Sequence, residues 1–365
     1  MSLRIQDLTL TNFRSYPSFT VADLGELTIF HGPNAAGKTN VVEAIQLLTA
    51  LTSFRKANAS ELVMSGTAQA RVAATITDGN RLLDLTLTFD DGKRMYHLNG
   101  KPRSVKSLKG LMPSIIFSPE DLSLIKGSDS FRRQELDQLG AQVNANYYQI
   151  MRDFEKVLRQ RNRLLKDEAA PALVDSLTEV FAKVGAQLTA YRKAMLTRIT
   201  PHIVAAYADI SGGEELTVEY HASWDETFDL MDALQGNREQ ERARKVTLLG
   251  PHRDHILFQV NGMNAVSFAS QGQQRSIVLA MKMAEVQLIK EMMDQRPILL
   301  LDDVMSELDA VRRAALVEKL LPETQTFITT ANLDYFDEGI IEKARIIRIE
   351  KPDPHSYPYK DQSGA

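Results

Sequence analysis

"HGPNAAGKTNVVEAIQLL" occupies residues 31–48 and sets two glycines, a lysine and a threonine close together before turning into a helical pattern. It fits G-x-x-x-x-G-K-[ST] at Gly32, Gly37, Lys38 and Thr39, with Pro33, Asn34, Ala35 and Ala36 spanning the gap and Asn40 following. Such a motif carries meaning only between a strand and a helix. Both flanks are present: "GELTIF" is a short run of strand formers, and Val41, Ala44, Ile45, Leu48 and Leu51 return at helical spacing. The residue types follow from what phosphate needs. Its oxygens must be met by backbone N–H groups at close range, and glycine permits that approach. The helix that the loop opens turns its unpaired N–H groups and positive dipole end toward the anion. Lys38 is expected to reach the β- and γ-phosphates of a nucleotide, and the Thr39 hydroxyl to bind Mg2+.

At 365 residues and 44% apolar content the chain can build two domains with real cores. No apolar run reaches the ~18 residues a bilayer span needs. The opening "MSLRIQDLTL" lacks the basic-then-apolar plan of a signal peptide, so a cytoplasmic chain with no membrane partner is expected. Cysteine is absent, which removes disulfides and thiolate metal sites and agrees with a reducing compartment. The net charge of −4 means that any binding of nucleic acid must use a local basic surface.

The first ~118 residues read as strands around one helix: "LRIQDLTLTNF", "ELTIF", "ARVAATIT", "LLDLTLTF" and "YHLNG", with "DDGK" as a hairpin turn. From Leu136 the pattern changes. Apolar residues return every seven, at Val143, Ile150, Val157 and Leu164, with Tyr147 and Phe154 between them. A second run goes through Leu173, Leu177, Val180, Val184, Leu188, Tyr191 and Met195. Two helices of ~35 residues reach ~50 Å, a short antiparallel arm. Strands then resume, and the chain ends helix, strand, helix, strand. The expectation is an α/β P-loop ATPase head split over residues 1–120 and 246–365, with an inserted, coiled-coil-like helical arm over 121–245. A polar tail after Glu350 is expected to fray.

"RPILLLDD" is a buried strand that ends in Asp302 and Asp303, as in a Walker B strand. Asp302 is expected to hold Mg2+ through water, and Asp303 to orient or deprotonate the attacking water. "FASQGQQRSIVLAMKMAEVQ" places Ser270 and Gln273 as a capping box before an amphipathic helix, which leaves Gly272 unexplained in a first helical turn. The order P-loop, "SQGQ", "LLLDD", "SELD" resembles the ABC-type ATPases, in which the signature serine and glycine of one subunit close over the γ-phosphate held by the other. Ser270 follows Gly32 by 238 residues with a helical insertion between, which resembles the SMC-like branch. Transporter-energising subunits set the two elements much closer together, and a nuclease-associated ATPase is the remaining alternative.

Together with "LTLTNFRSY", "SFRKA", "FSPEDLSLIKGSDSFRRQELD", "VLRQRNRLLK" and "GPHRDH", these motifs resemble the RecF family of bacterial recombination mediators along nearly the whole chain. The resemblance implies an ATP- and Mg2+-dependent homodimer that hydrolyses ATP slowly. It implies binding to single- and double-stranded DNA at gaps or junctions, and work with RecR and RecO to help RecA load. It implies nucleotide contacts from Ser270, Gly272 and Gln273 of the partner subunit. Arg14 matches an N-terminal arginine that approaches the nucleotide, although a solvated strand-end arginine reads equally well. Glu120 stands where related ATPases place a glutamine. Asn332 stands at a catalytic switch position that often holds histidine, and an amide there could only position water or phosphate. Arg55 and Lys56 follow the P-loop helix and are candidates for DNA. Arg159, Arg161, Arg163 and Lys166 fit DNA or a solvated helix face. Arg253 and Asp254 are expected to form an internal salt bridge.

Overall fold

A computed structural model gives the fold and describes residues 3–350; the tail after Glu350 lies outside the described residues. In chain order the strands are β1 (Arg4–Phe13), β2 (Tyr16–Val21), β3 (Leu27–His31), β4 (Gln69–Thr77), β5 (Leu82–Asp90), β6 (Lys93–Leu98), β7 (Lys101–Arg103), β8 (Ser114–Phe117), β9 (Leu216–His221), β10 (His255–Val260), β11 (Met263–Asn264), β12 (Ile298–Asp302), β13 (Gln325–Thr330) and β14 (Arg345–Arg348). The chain divides into two compact units. One takes the residues up to Asp121 and from Ile289 onward, and the other is Leu122–Leu288.

The first unit holds two sheets. The six-stranded sheet, β2-β1-β4-β5-β6-β7, is antiparallel throughout, and its strands alternate as a one-faced sheet should. Ile5, Leu8 and Leu10 of β1, Val72 and Ile76 of β4, and Leu85, Leu87 and Phe89 of β5 are buried. The hairpin turn expected at "DDGK" is present, with Asp91 and Gly92 both at positive φ. The five-stranded sheet, β14-β3-β13-β12-β8, is wholly parallel. Its β12 and β13 are buried along their full length, as strands covered on both faces must be. The helix Lys38–Thr49 buries Val41, Val42, Ala44, Ile45, Leu47 and Leu48 in one core that draws on both sheets. This all-round burial accounts for an apolar pattern broader than a single stripe.

The second unit corrects the reading of the helical middle. The first long helix is two, Asp129–Val143 and Ala145–Lys166, because Asn144 is extended and its side chain accepts the N–H groups of Asn146 and Tyr147. The break lets the Tyr147 ring lie where a Cβ on Gly140 would stand only 2.5 Å away. The following helix is longer than expected, Pro171–Ser211, and its buried face is set one residue over. Val174, Thr178, Phe181, Gly185, Leu188, Arg192 and Met195 face inward, while Leu173 and Val180 are exposed. Apolar periodicity placed Leu188 and Met195 on this face but missed the rest of the register, because Thr178, Thr189 and Arg192 are polar.

Arg192 donates to both oxygens of Asp137 at 2.8 and 2.6 Å, and Tyr147 bonds the same carboxylate. Arg161, expected on a face turned to DNA or to solvent, is instead 2% exposed. Its guanidinium donates to Glu241, Thr178 and Thr247, so its charge is neutralised inside the unit and does not reach solvent. The "GPHRDH" loop joins the same interior. Asp254 accepts from Thr189, Tyr220 and the Ser223 N–H rather than from Arg253, which is exposed. β9 and β10 pair along six residues, and the unit continues past residue 245 through β10 to Leu288.

Replacing Arg161 with Met strands the Glu241 carboxylate, and urea unfolding is expected to show a loss of about 3–5 kcal/mol. An unchanged unfolding midpoint with weakened DNA binding would return Arg161 to the surface. Burial pulls the His252 imidazole from 6.5 down to about 4. Below pH 6.5 the unfolded chain therefore takes up a proton that the folded chain refuses. Stability is full above 6.5 and falls toward pH 4 by up to about 3 kcal/mol. His252→Phe, which keeps a ring beside Phe154 and Phe181, is expected to flatten that slope in pH-dependent melts.

Candidate nucleotide-binding site

β3 lies beside β13, and β13 beside β12, so the loop after β3 and the carboxylates ending β12 emerge at the same edge of the parallel sheet. Gly37 caps the helix Lys38–Thr49 with φ +104°, a conformation that suits glycine. Gly32 is required for a different reason: a Cβ there would meet the Ile349 carbonyl oxygen at 2.1 Å. Pro33, Asn34 and Ala35 are exposed at the loop's crest, while Ala36 is buried beneath it. Lys38 is buried, and its Nζ donates to the carbonyls of Gly32 at 2.8 Å and Pro33 at 3.0 Å. Burial lowers the Lys38 pKa, and the nearby Asp303 and Asp302 oppose that shift.

The Asp302 carboxylate accepts from the Thr329 hydroxyl at 2.7 Å and from the Thr39 side chain. Burial raises its pKa, and these two hydrogen bonds hold it back. Asp303 sits at φ +53°, with its N–H held by the Thr329 hydroxyl at 2.9 Å. Its pKa is raised by burial and by Glu307, against the pull of Lys38. A carboxylate raised in this way is a better proton acceptor near neutral pH. Thr39 and Asp302 offer only oxygen donors, which suits Mg2+. That ion usually takes one or two protein oxygens and completes its shell with phosphate and water. Among the described residues no cluster of three or more His, Cys, Asp or Glu side chains forms a metal cage.

Several neighbours of the site went unread in the sequence. Thr329 is one and Glu43 another. Glu43 is fully buried on the P-loop helix and receives Arg14 through two bonds of 2.8 Å, with Ser53 as a third donor. Arg14 spends its remaining nitrogen on the Glu61 carbonyl, so its guanidinium braces the P-loop helix and is not turned free toward a ligand. Arg55 also belongs to this group, since it donates to Asn40 at 3.0 Å and lies 3.8 Å from Glu43. A charged residue at Glu43 amid Val41, Val42, Ala44 and Ile45 was the available signal. Lys56 is exposed beside it. Asn332 follows β13, and its side chain accepts the Asp334 N–H. Glu120 is exposed in a short 3-10 turn.

The signature segment belongs to the second unit and stands there by itself. Ser270 and Gln273 form the expected capping box: the Ser270 N–H donates to Gln273 at 2.8 Å, and the Gln273 N–H donates back to Oγ at 3.2 Å. The Gln273 amide also donates to Glu214. Both ends of that side chain are therefore engaged, which fixes Ser270 at the exposed start of the helix Gln271–Met293. Arg159 and Arg163 are exposed on the helix Ala145–Lys166, with Glu155 and Asp167 at 3.9 and 3.5 Å, and Lys166 is exposed at its end.

Residues 4–352 match the RecF/RecN/SMC N terminal domain. The chain is 35% identical over 354 residues to the DNA replication and repair protein RecF of Moorella thermoacetica, covering 96% of each chain. Its identity to the protein of that name from Bacillus subtilis is also 35%, covering 95% of this chain and 98% of the relative. The solved recombination mediator protein RecF-ATP of the RecFOR pathway superposes with a TM-score of 0.86 at 28% identity over 96% of this chain and 97% of that one. An Smc head bound to the C-winged helix domain of ScpA shares the fold, at a TM-score of 0.56 and 16% identity. No helix among the described residues is long and apolar enough to cross a membrane. With near-complete coverage on both sides of each RecF comparison, the chain belongs to the RecF family of DNA replication and repair proteins.

Proposed function

We propose that this chain is an ATP-gated DNA-binding protein in which slow hydrolysis acts as a timer. The observation that carries the reading is the shared sheet edge, where the Lys38 ammonium, the Thr39 hydroxyl and the Asp302–Asp303 pair converge. The backbone of residues 32–40 cradles the phosphates, and Lys38 leaves the loop carbonyls to meet them. Thr39 and Asp302 would hold Mg2+, which would supply charge neutralisation for the nucleotide phosphates. Asp303 takes the proton of the attacking water, and the exposed amide of Asn332 orients water or phosphate.

Ser270 and Gly272 of a second copy close over the γ-phosphate, with Gln273 acting through Ser270. ATP thereby ties two chains together. The dimer binds gapped or junction DNA and works with RecO and RecR toward RecA loading, a reading supported by the relative solved with ATP in the RecFOR pathway. Arg55, Lys56, Arg159, Arg163 and Lys166 remain candidates for phosphate contacts with DNA. Under this reading residues 1–120 and 246–365 act as the ATPase head and residues 121–245 as the arm.

Lys38→Ala is expected to abolish ATP-driven dimerisation in sedimentation while its unfolding free energy moves by less than about 1 kcal/mol. Wild-type dimerisation by this variant would detach assembly from the P-loop. Asp303→Asn keeps the size of the side chain and loses the base. ATP hydrolysis is expected to slow by roughly 10²–10⁴-fold with ATP still bound, and the dimer to live longer. Ser270→Arg is expected to bind ATP as a monomer. Mixing it with Lys38→Ala rebuilds one whole site, so energy transfer between differently labelled variants should recover part of the dimer. No signal above either variant alone would count against a shared site.

A further inference from the structure

Residues 92–118 contain six lysines and arginines and not one aspartate or glutamate, within a chain of net charge −4. They build β6, an Asn99–Gly100 turn with both residues at positive φ, the edge strand β7 and the short helix Val105–Leu108. Lys93, Lys101, Arg103 and Lys106 are exposed, and none has a carboxylate within ion-pair distance among the described residues. Asp90, opposite Lys93 in the ladder, is engaged by Gln69. Several cations of the second unit are paired instead: Arg152, Arg163, Lys193, Arg238 and Lys245 each lie within 4 Å of an acid.

Charge and proline on an edge strand can serve only to block pairing with another sheet, and Lys101, Pro102 and Arg103 would suffice for that. The cationic surface does not stop at the edge. It extends forward past β7 to Lys106, while Lys93 stands on the other face of the sheet from Lys101 and Arg103, whose ladder partners are Leu98 and Tyr96. It is also anchored. Tyr96 donates to the Leu47 carbonyl at 2.9 Å, Lys109 to the Ala50 carbonyl at 2.8 Å, and Arg94 to the Ala57 carbonyl at 2.5 Å. The Leu47 and Ala50 carbonyls lie on the last turn of the P-loop helix or just beyond it, and Ala57 in the segment that follows, so the hairpin is held to the end of a rigid rod of ~18 Å whose other end is the phosphate loop.

We infer that Lys101, Arg103 and Lys106 form a contact surface for the phosphate backbone of duplex DNA. The inference rests on the DNA-binding reading above and locates it. Unpaired, exposed cations on a fixed scaffold release counterions from a polyanion without first breaking internal pairs, and they read no base sequence.

The test uses the full chain with ATP and Mg2+ and a fluorescein-labelled 30-base-pair duplex, with anisotropy followed from 50 to 300 mM KCl. Combining Lys101→Ala, Arg103→Ala and Lys106→Ala is expected to weaken binding at least tenfold at 150 mM. The slope of log K against log salt should shallow by up to about 2.7, at roughly 0.9 per lost phosphate contact. Lys101→Arg with Lys106→Arg is expected to keep the wild-type slope. Arg238→Ala, Arg242→Ala and Arg244→Ala together remove the same charge elsewhere and are expected to leave the slope in place. ATP-driven dimerisation and circular dichroism report folding, and single Lys101→Ala and Lys106→Ala variants replace the triple if it unfolds. Duplex binding by the wild type with an unchanged slope in the patch variant overturns this surface alone. An equal loss in the Arg238 control also overturns it, as does a patch variant that loses anionic phospholipid vesicles while keeping the duplex. Failure of the wild type to bind duplex at all removes the DNA-binding reading itself.

Discussion

The Thr329 hydroxyl donates to Asp302 and accepts from the Asp303 N–H, and the strand that carries it pairs with β3 on one side and β12 on the other. Both halves of the nucleotide edge depend on that strand's register. A slip of one residue would turn every side chain of β13 to the opposite face and take the hydroxyl away from both aspartates. Asp302 is exposed to this risk because it is buried, and a buried carboxylate keeps its charge only while hydrogen bonds support it. Thr39 reaches the same carboxylate from the loop side, so the P-loop helix and the Walker B strand check one another's position.

The second unit relies on charge placed where apolar packing would be expected. Arg161 with Glu241, and Arg192 with Asp137, cross from one segment to another that is distant in sequence. Such pairs add little net stability against well-packed hydrocarbon, but breaking one is costly. We take their role to be selection of a single helix register. Thr178 and Arg192 face inward, and a shift of the helix Pro171–Ser211 would bury Leu173 and Val180 at the expense of the Arg161–Thr178 and Arg192–Asp137 bonds.

β3, β12, the phosphate loop and the paired aspartates were legible because each is written locally, as apolar runs and a short motif, whereas the four-residue β8 went unread. β1, β4, β5 and β6 were legible for the same reason, through alternation and the Asp91–Gly92 turn, while β2 and β7 were not. The Arg14 to Glu43 brace was not, since its partners are 29 residues apart and neither is apolar. The break at Asn144 was hidden by a heptad pattern that continues across it, and only the capping chemistry of asparagine announces it. Thr329 carried no signal, because a threonine in a strand is ordinary until its hydroxyl is seen between two carboxylate-bearing residues. Gln273 was read in its capping role, while its bond to Glu214 depends on the fold.

Gly32 abuts the Ile349 carbonyl, and β3 pairs with β13 and β14. The phosphate loop is thus encoded near the start of the chain and completed by its final strands. Residues 122–288 are contiguous, so a growing chain on the ribosome has made everything the second unit needs by the time it reaches β12. β3 spends that interval without its neighbours on either side. Nucleotide affinity therefore arrives as one of the last acts of translation, and a chain cut short before residue 325 carries a complete P-loop sequence with no sheet to hold it.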